Sequence, residues 1–301
     1  RHLKRFFEGA VAIIQSSKAG IRLLKECRLE HEKLILVYPT VDPATLPMSA
    51  PDLVKVLRDR YGVSGERVVL SIARLDIDKG QDVLLKAFSR VLESHPDVKL
   101  IIIGEGPQRE GLEEMASSLR IADAVCFAGQ IQAEEIAAHH ELSSFFVMPS
   151  RSSRRFEGFG IVFLEAALCQ RTSVAGNQGG VSEAVEDGIT GVLVNPEDEN
   201  SVAAAMMRLL DDPAYCDLLS ENAYERATHE FSLSRMAERL EGWLDASVQV
   251  ESKRRWRFLR LAYWSIRLAL VSILRLSKAG MRFLMNRETS HPVDVSATAR
   301  D

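Results

Sequence analysis

This sequence has few of the common markers of chemistry. Only four cysteines occur in 301 residues (Cys27, Cys126, Cys169 and Cys216), far apart and without a CxxC pair. That spacing excludes a disulfide-stapled fold or a cysteine zinc site, and is the pattern of buried thiols in a reducing compartment. His139–His140 has no cysteine or carboxylate at ligand spacing, which argues against a metal centre. There is no GxSxG elbow and no Ser-His-Asp order, so a hydrolase of that kind is excluded. Internal repeats and low-complexity tracts are also missing. The opening RHLKRFFEG does not read as a secretory signal and carries no methionine. We therefore expect the front of a longer protein to precede it.

What is present is an ordinary balance: 46% apolar, 27% charged and a formal charge of −4. The balance is uneven along the chain. From Glu251 to Asp301 there are 11 Lys/Arg against 4 Asp/Glu, a tail of +7. The remaining residues hold 27 basic and 38 acidic groups, a body of −11. An acidic body gives no reason to expect nucleic acid as a partner, whereas the basic tail calls for a partner of its own.

AVAIIQSS (10–17) and KLILVYP (33–39) read as short strands flanking a helix over 18–31. PTVDPATLPMSAPD (39–52) gathers prolines and small residues and reads as a linker. Strands then follow at 67–75, 98–107, 124–129, 144–150, 172–176 and 191–195. Helices fall at 79–96, 108–121, 133–142, 160–169, 181–186 and 198–211. Short apolar strands alternating with helices predict a doubly wound α/β domain with a parallel, Rossmann-like sheet, at roughly 53–230.

Ligands of such sheets bind at the carboxyl ends of the strands, so four loops there matter. In ARLDIDKG, Arg74 and Lys79 follow the first strand of the domain, two cations suited to a diphosphate or simply to solvent. In GEGP, Gly104 and Gly106 allow a tight turn. Without a third glycine this is a weak dinucleotide signal, and sterics alone would explain it. In RSSRRFEGFGIVFLEA the glycines allow close approach of a ligand, and a helix start near Phe159–Gly160 offers free amides to an anion. Glu165 sits inside an apolar helix and needs a hydrogen-bonding partner, for which sugar or ribose hydroxyls are suited. In GNQGGVSEAVEDGITG a Gly-Gly turn leads into a helix near Val181, with Glu183 an acid suited to that helix's own first turn.

Taken in order, ARLDIDKG, IIIGEGP, VCFAGQI, VMPS, EGFGIVFLEA, VAGNQGGVSEAVEDGITGVLV and NPEDENSVAAAMMRLLDDP resemble the C-terminal half of a GT-B glycosyltransferase of the retaining family 4 group. EGFGIVFLEA and the arginines of RSSRRF are similar to the phosphatidylinositol mannosyltransferase-like branch. The resemblance spans about 65–215, and Glu157 and Glu165 match the family's two glutamates separated by seven residues. It implies a nucleotide-sugar donor, UDP- or GDP-hexose, and no metal or other cofactor. It further implies that Arg74 and Lys79 bind the diphosphate and that amides of Phe159, Gly160 and Ile161 cradle the phosphates. Glu165 would hold the ribose, Glu157 would contact the donor sugar, and Ile131 would offer backbone contacts to the base. Gly104 is counted with the donor-binding set. Residues 1–52 would be the remnant of an acceptor domain plus linker, and 231–250 a crossing helix. The missing part supplies the acceptor pocket and a histidine in this family, so the chain is expected to bind donor and transfer little or nothing.

Beyond that core, residues 251–287 place Arg257, Arg260, Arg267, Arg275, Lys278 and Arg282 on one helical stripe among wide apolar faces. Their longest uncharged run, 268–274, is too short to span a bilayer. The pattern predicts a helix lying on an anionic membrane, or one packed on another domain. It suits a cytoplasmic protein peripheral to the inner membrane surface, acting on a saccharide or lipid-linked acceptor. Residues 288–301 read as disordered. Two rivals use the same residues: a nucleotide-sugar epimerase of this fold, or a non-catalytic scaffold.

Overall fold

The alternation of strand and helix is realised as a six-stranded parallel sheet. The computed structural model describes residues 12–29, 34–44, 46, 51–152 and 155–251, with side chains to residue 244. A small parallel pair comes first: β1 (Ile13–Gln15) and β2 (Leu34–Leu36), joined through the helix Lys18–Glu26. The main sheet holds β3 (Arg67–Ile72), β4 (Val98–Ile103), β5 (Val125–Gly129), β6 (Phe145–Met148), β7 (Ser173–Gly176) and β8 (Gly191–Val194). Their order is β5-β4-β3-β6-β7-β8, every neighbour parallel. The chain divides into a unit over 1–239, which holds these strands, and a second over 240–301.

Alternation along each strand sorts the core onto two faces. Val69, Leu100, Ile102, Phe145 and Val147 meet the helices Gln81–Ser94, Arg109–Ser118 and Glu199–Asp211. Val68, Leu70, Ile101, Ile103, Phe146 and Met148 meet Ile136–Leu142, Ile161–Leu168 and the inner face of Pro213–Glu230. Phe88, Phe145, Phe146, Phe163 and Phe231 are fully buried. Each contributes about 1.5–3 kcal/mol relative to exposure, so the sheet is a rigid platform for its loops.

The structure departs from the sequence expectations in several places. A helix occupies Pro51–Arg60, where linker-like prolines precede it; Pro51 opens it, where a missing N–H costs nothing. Another runs over Pro213–Glu230, capped by the Asp212 carboxylate on the Tyr215 amide. Lys79 closes a 3-10 turn, Ile77–Lys79, because Gly80 turns left-handed (φ +73°) before Gln81–Ser94 begins. Cys27 is exposed rather than buried, since it sits just past the helix Lys18–Glu26, while Cys169 and Cys216 are buried. The tail expectations over 252–301 lie outside the described residues, and among those described no helix is long and apolar enough to cross a membrane.

Glu183 also behaves differently. It caps another helix rather than its own. The Lys18 and Ala19 amides each donate to its carboxylate at 2.8 Å, and the Tyr38 hydroxyl donates at 3.0 Å. Burial and this carboxylate push the Tyr38 hydroxyl up to about 12. The small βαβ piece is thereby tied to the main sheet. Glu183→Gln, with one acceptor oxygen lost, is expected to lower stability by about 1–2 kcal/mol, read as a shifted urea midpoint with unchanged slope. An unmoved midpoint would show that the tie carries no energy.

Candidate active site

Strand order reverses between β3 and β6, and the crevice beyond their carboxyl ends is the place such sheets bind ligands. Two exits are pressed together there. A Cβ on Gly80 would stand 2.1 Å from the Pro149 carbonyl oxygen, so only glycine fits at this left-handed position. The Arg151 amide donates to the Asp78 carbonyl at 2.9 Å, and its guanidinium reaches both Asp82 oxygens at 2.9 and 3.0 Å.

This clamp brings the expected side chains to one place. Lys79 Nζ donates to Glu157 Oε2 at 2.6 Å, with the two side chains 27% and 15% exposed. Arg74 pairs with Asp76. Arg155 Nη1 lies 3.6 Å from the same Asp76 oxygen, and the Lys79 amide donates to the Asp76 carbonyl at 2.9 Å. Arg74, Asp76 and Lys79 from one loop thus meet Arg155 and Glu157 from the other. Three cations face two carboxylates, leaving one positive charge in excess.

The second glutamate lies further along. Gly160 (φ +87°) is the N-cap of Ile161–Leu168, and the Phe163 ring fills the place a Cβ would take. The amides of Phe159, Gly160, Ile161 and Val162 find no acceptor among the described residues; the Phe163 amide donates to the Gly160 carbonyl at 3.1 Å. Such a bare start is a natural anion cradle. Glu165 is the fifth helical residue and shares the less buried side with Ile161, one turn back. Burial raises its carboxyl above the usual range. No side-chain bond satisfies it among the described residues, so it is a half-buried acceptor without a partner.

The fourth loop holds the third in place. The Gly180 amide donates to the Glu157 carbonyl at 2.9 Å, and the Ser152 amide donates to Gln178 Oε1 at 2.6 Å. Cβ atoms on Gly179 and Gly180 would come within 2.2 and 2.1 Å of the Glu157 and Gly158 carbonyls. The reason for Gly104 also lies in packing. Its φ is +132°, and a Cβ there would meet the Ala73 carbonyl at 2.0 Å, directly behind Arg74. Its amide donates to the Gly129 carbonyl at 2.8 Å, which joins this loop to the one carrying half-buried Ile131.

Reasoning from sequence missed Asp76 and Arg155 as members of the cluster. The signal existed, since an aspartate stands two places after Arg74 and extra arginines stand before Glu157. His139 and His140 are core residues away from this crevice. Among the described residues no cluster of three or more His, Cys, Asp or Glu is arranged to hold a metal ion.

With this geometry in hand, the chain can be set beside known proteins. Residues 55–226 match the family described as Glycosyl transferases group 1. A GDP-mannose-dependent alpha-(1-6)-phosphatidylinositol monomannoside mannosyltransferase of Mycolicibacterium smegmatis is 42% identical over 166 residues, covering 54% of this chain and 44% of that protein. An alpha-D-kanosaminyltransferase of Streptomyces kanamyceticus is 34% identical over 186 residues, covering 62% of this chain and 47% of that one. The chain spans about half the length of these relatives. Among solved structures, the sucrose-phosphate synthase of Thermosynechococcus elongatus is similar with TM-score 0.71 and 26% identity, over 82% of this chain and 61% of that one. Anabaena HepE in complex with UDP-glucose is similar with TM-score 0.71 and 25% identity, over 79% and 64%. These are GT-B glycosyltransferase folds, and this chain shares their parallel sheet flanked by helices. The family match covers more than half of the chain and every loop of the crevice, so this chain belongs to the glycosyl transferases group 1 family.

Proposed function

We propose that the chain is the donor-binding half of a retaining hexosyltransferase of the family 4 group, acting on a UDP- or GDP-hexose. The observation that carries this reading is the contact of Lys79 with Glu157 at the strand-order reversal, beside the unpartnered helix start at Gly160. Breaking the bond between a hexose and a diphosphate leaves negative charge on the departing phosphate and positive charge on the sugar. Arg74 and Lys79 neutralise the first, and the amides of Phe159, Gly160 and Ile161 hold the phosphate oxygens in place. Glu157 then faces the sugar, and its carboxylate suits the positive charge developing there. Glu165 accepts the ribose hydroxyls, which supply the hydrogen bonds its half-buried carboxylate lacks. Ile131 offers its backbone to the base, and Gly104 lets its loop close behind Arg74.

Fixed cations and amides meet the charge requirement without a metal ion. UDP-glucose in the HepE structure and GDP-mannose in the mycobacterial enzyme's name support the donor class. The acceptor is a saccharide or a lipid-linked one, and residues 1–301 alone bind donor with little transfer.

Calorimetric titration with UDP, GDP and their hexose conjugates tests this reading. We expect saturable binding of one nucleotide, weakened about tenfold by Glu165→Gln, the loss of one charge-assisted bond pair. If no nucleotide binds, the proposal falls.

A further inference from the structure

Phe159 faces two ways. Its amide is one of the bare donors at the start of Ile161–Leu168, while its side chain is buried. Two other rings receive it. Tyr38 lies 5.5 Å away, centroid to centroid and tilted at 37°, and Phe231 lies 5.4 Å away, edge to face at 64°. Tyr38 and Phe231 meet each other at 5.6 Å. The three rings close on themselves, every pair within the range of favourable aromatic contact. They come from distant parts of the chain: Tyr38 follows β2, Phe231 ends Pro213–Glu230, and Phe159 precedes the N-cap Gly160.

The rim of this cluster is wired to the crevice. The Tyr38 hydroxyl donates to Glu183 at 3.0 Å. The Arg226 guanidinium lies 4.9 Å from the Phe231 ring centre and donates to the Ala184 and Glu183 carbonyls at 2.9 and 3.0 Å. The Val41 amide donates to the Phe231 carbonyl at 3.1 Å. Val181–Ala184 is therefore tied to the rings at one end, while just before its other end the Gly180 amide holds the Glu157 carbonyl. Gly158 and Gly160, which flank Phe159, have no side chains to anchor this segment, and Ile161 is 47% exposed. The Phe159 ring thus anchors the backbone over 158–161.

We propose that Tyr38 and Phe231 are positioning residues for the amides of Phe159, Gly160 and Ile161, seating the Phe159 ring so that these donors stand at hydrogen-bonding distance from a phosphate. The inference rests on the donor reading above and deepens it by naming what aims the cradle. Neither residue touches a ligand on that reading. A donor amide is effective only where it is preorganised, and a displacement of about 1 Å costs on the order of 10²-fold. Leucine in place of either ring opens space beside Phe159, into which that ring and its backbone settle. On the same reading the base is held from another loop, at Ile131. A displaced cradle therefore weakens the grip on phosphate and spares the grip on the base. Packing without positioning would give a different result: the same substitutions would lower stability and leave phosphate recognition where it was.

Titrating the 301-residue chain with UDP and GDP, and with UMP and GMP beside them, gives the ratio of diphosphate to monophosphate affinity. Phe231→Leu and Tyr38→Leu are each expected to lower that ratio about tenfold. Tyr38→Phe keeps the ring and drops only the bond to Glu183, so it should melt earlier than wild type at an unchanged ratio. Phe88→Leu, in the core on the opposite face of the sheet, is the control for lost stability and should likewise leave the ratio unchanged. An unmoved ratio in Tyr38→Leu and Phe231→Leu overturns the inference, and an equal fall in Phe88→Leu does so too. A fall in Tyr38→Phe as large as in Tyr38→Leu removes the ring from the role and also overturns it. Should Phe231→Leu fail to fold, the two Tyr38 variants decide. Wild type that binds neither UDP nor GDP sinks the donor reading, and this inference with it. Wild type that binds, with variants that keep its ratio, sinks this inference alone.

Discussion

Replacing Lys79 with alanine in an enzyme carrying both halves is expected to lower turnover by on the order of 10²-fold or more, the scale of losing one preorganised oxyanion donor. Stability should move little. Lys79 closes a short 3-10 turn, its ammonium is about a quarter exposed, and its one partner among the described residues is Glu157. On the proposed reading the lost charge would act where the departing phosphate gathers its negative charge, so kcat should fall more than KM rises. Lys79→Arg should recover only part of the rate, because a planar fork cannot occupy the same point as an ammonium. Thermal melting and steady-state kinetics on one preparation separate the two effects. An alanine variant that turns over normally would remove Lys79 from the chemistry.

The other large effect concerns stability at low pH. His140 is fully buried against Phe146, with ring centroids 5.6 Å apart, and neither ring nitrogen has a hydrogen-bond partner. Burial first, then the nearby Arg171 and His139, push its pKa down to about 3. The unfolded chain takes up this proton below about 6.5, the folded chain only near 3. The stabilisation is therefore complete above 6.5 and is lost steadily as pH falls from there toward 3. At about 1.4 kcal/mol per unit, roughly 2–3 kcal/mol should be gone by pH 4.5. His140→Leu, of similar volume and without a titrating group, should flatten that slope, seen in urea unfolding at pH 7.5, 5.5 and 4.5. His139 is also lowered by burial and keeps a smaller slope of the same sign. Glu165, raised by burial, works in the opposite direction. Parallel pH curves for wild type and variant would show that His140 is not the sensor.

The sequence made the main sheet readable because its strands are short apolar runs, four of the six ended at or just before a glycine or proline. Periodicity was enough there. It failed where composition misled. Proline-rich residues before Pro51 looked like linker although Pro51 itself starts a helix, and Pro213–Glu230 has too little apolar asymmetry to announce its period. The candidate site was readable as far as residue type is tied to backbone: glycines at Gly80, Gly160 and Gly179 mark places where two loops touch. Its wiring was not. That Asp76 serves both Arg74 and Arg155, or that Glu183 reaches the helix Lys18–Glu26, depends on contacts between residues about 80 and 165 positions apart. No local pattern encodes those.

The pairing of Lys79 with Glu157 and of Arg74 with Asp76 has a consequence for which anions the crevice admits. Each cation is already answered by an internal carboxylate, so a visiting anion must outcompete a neighbour held at contact distance. Chloride or acetate, with a single charge and no additional handholds, gains too little from such an exchange. On the donor reading proposed above, a pyrophosphate would span both cations at once and also collect the amides at Gly160. On that reading the resting crevice would stay closed to the common small ions of its surroundings and would open to a ligand with two linked charges.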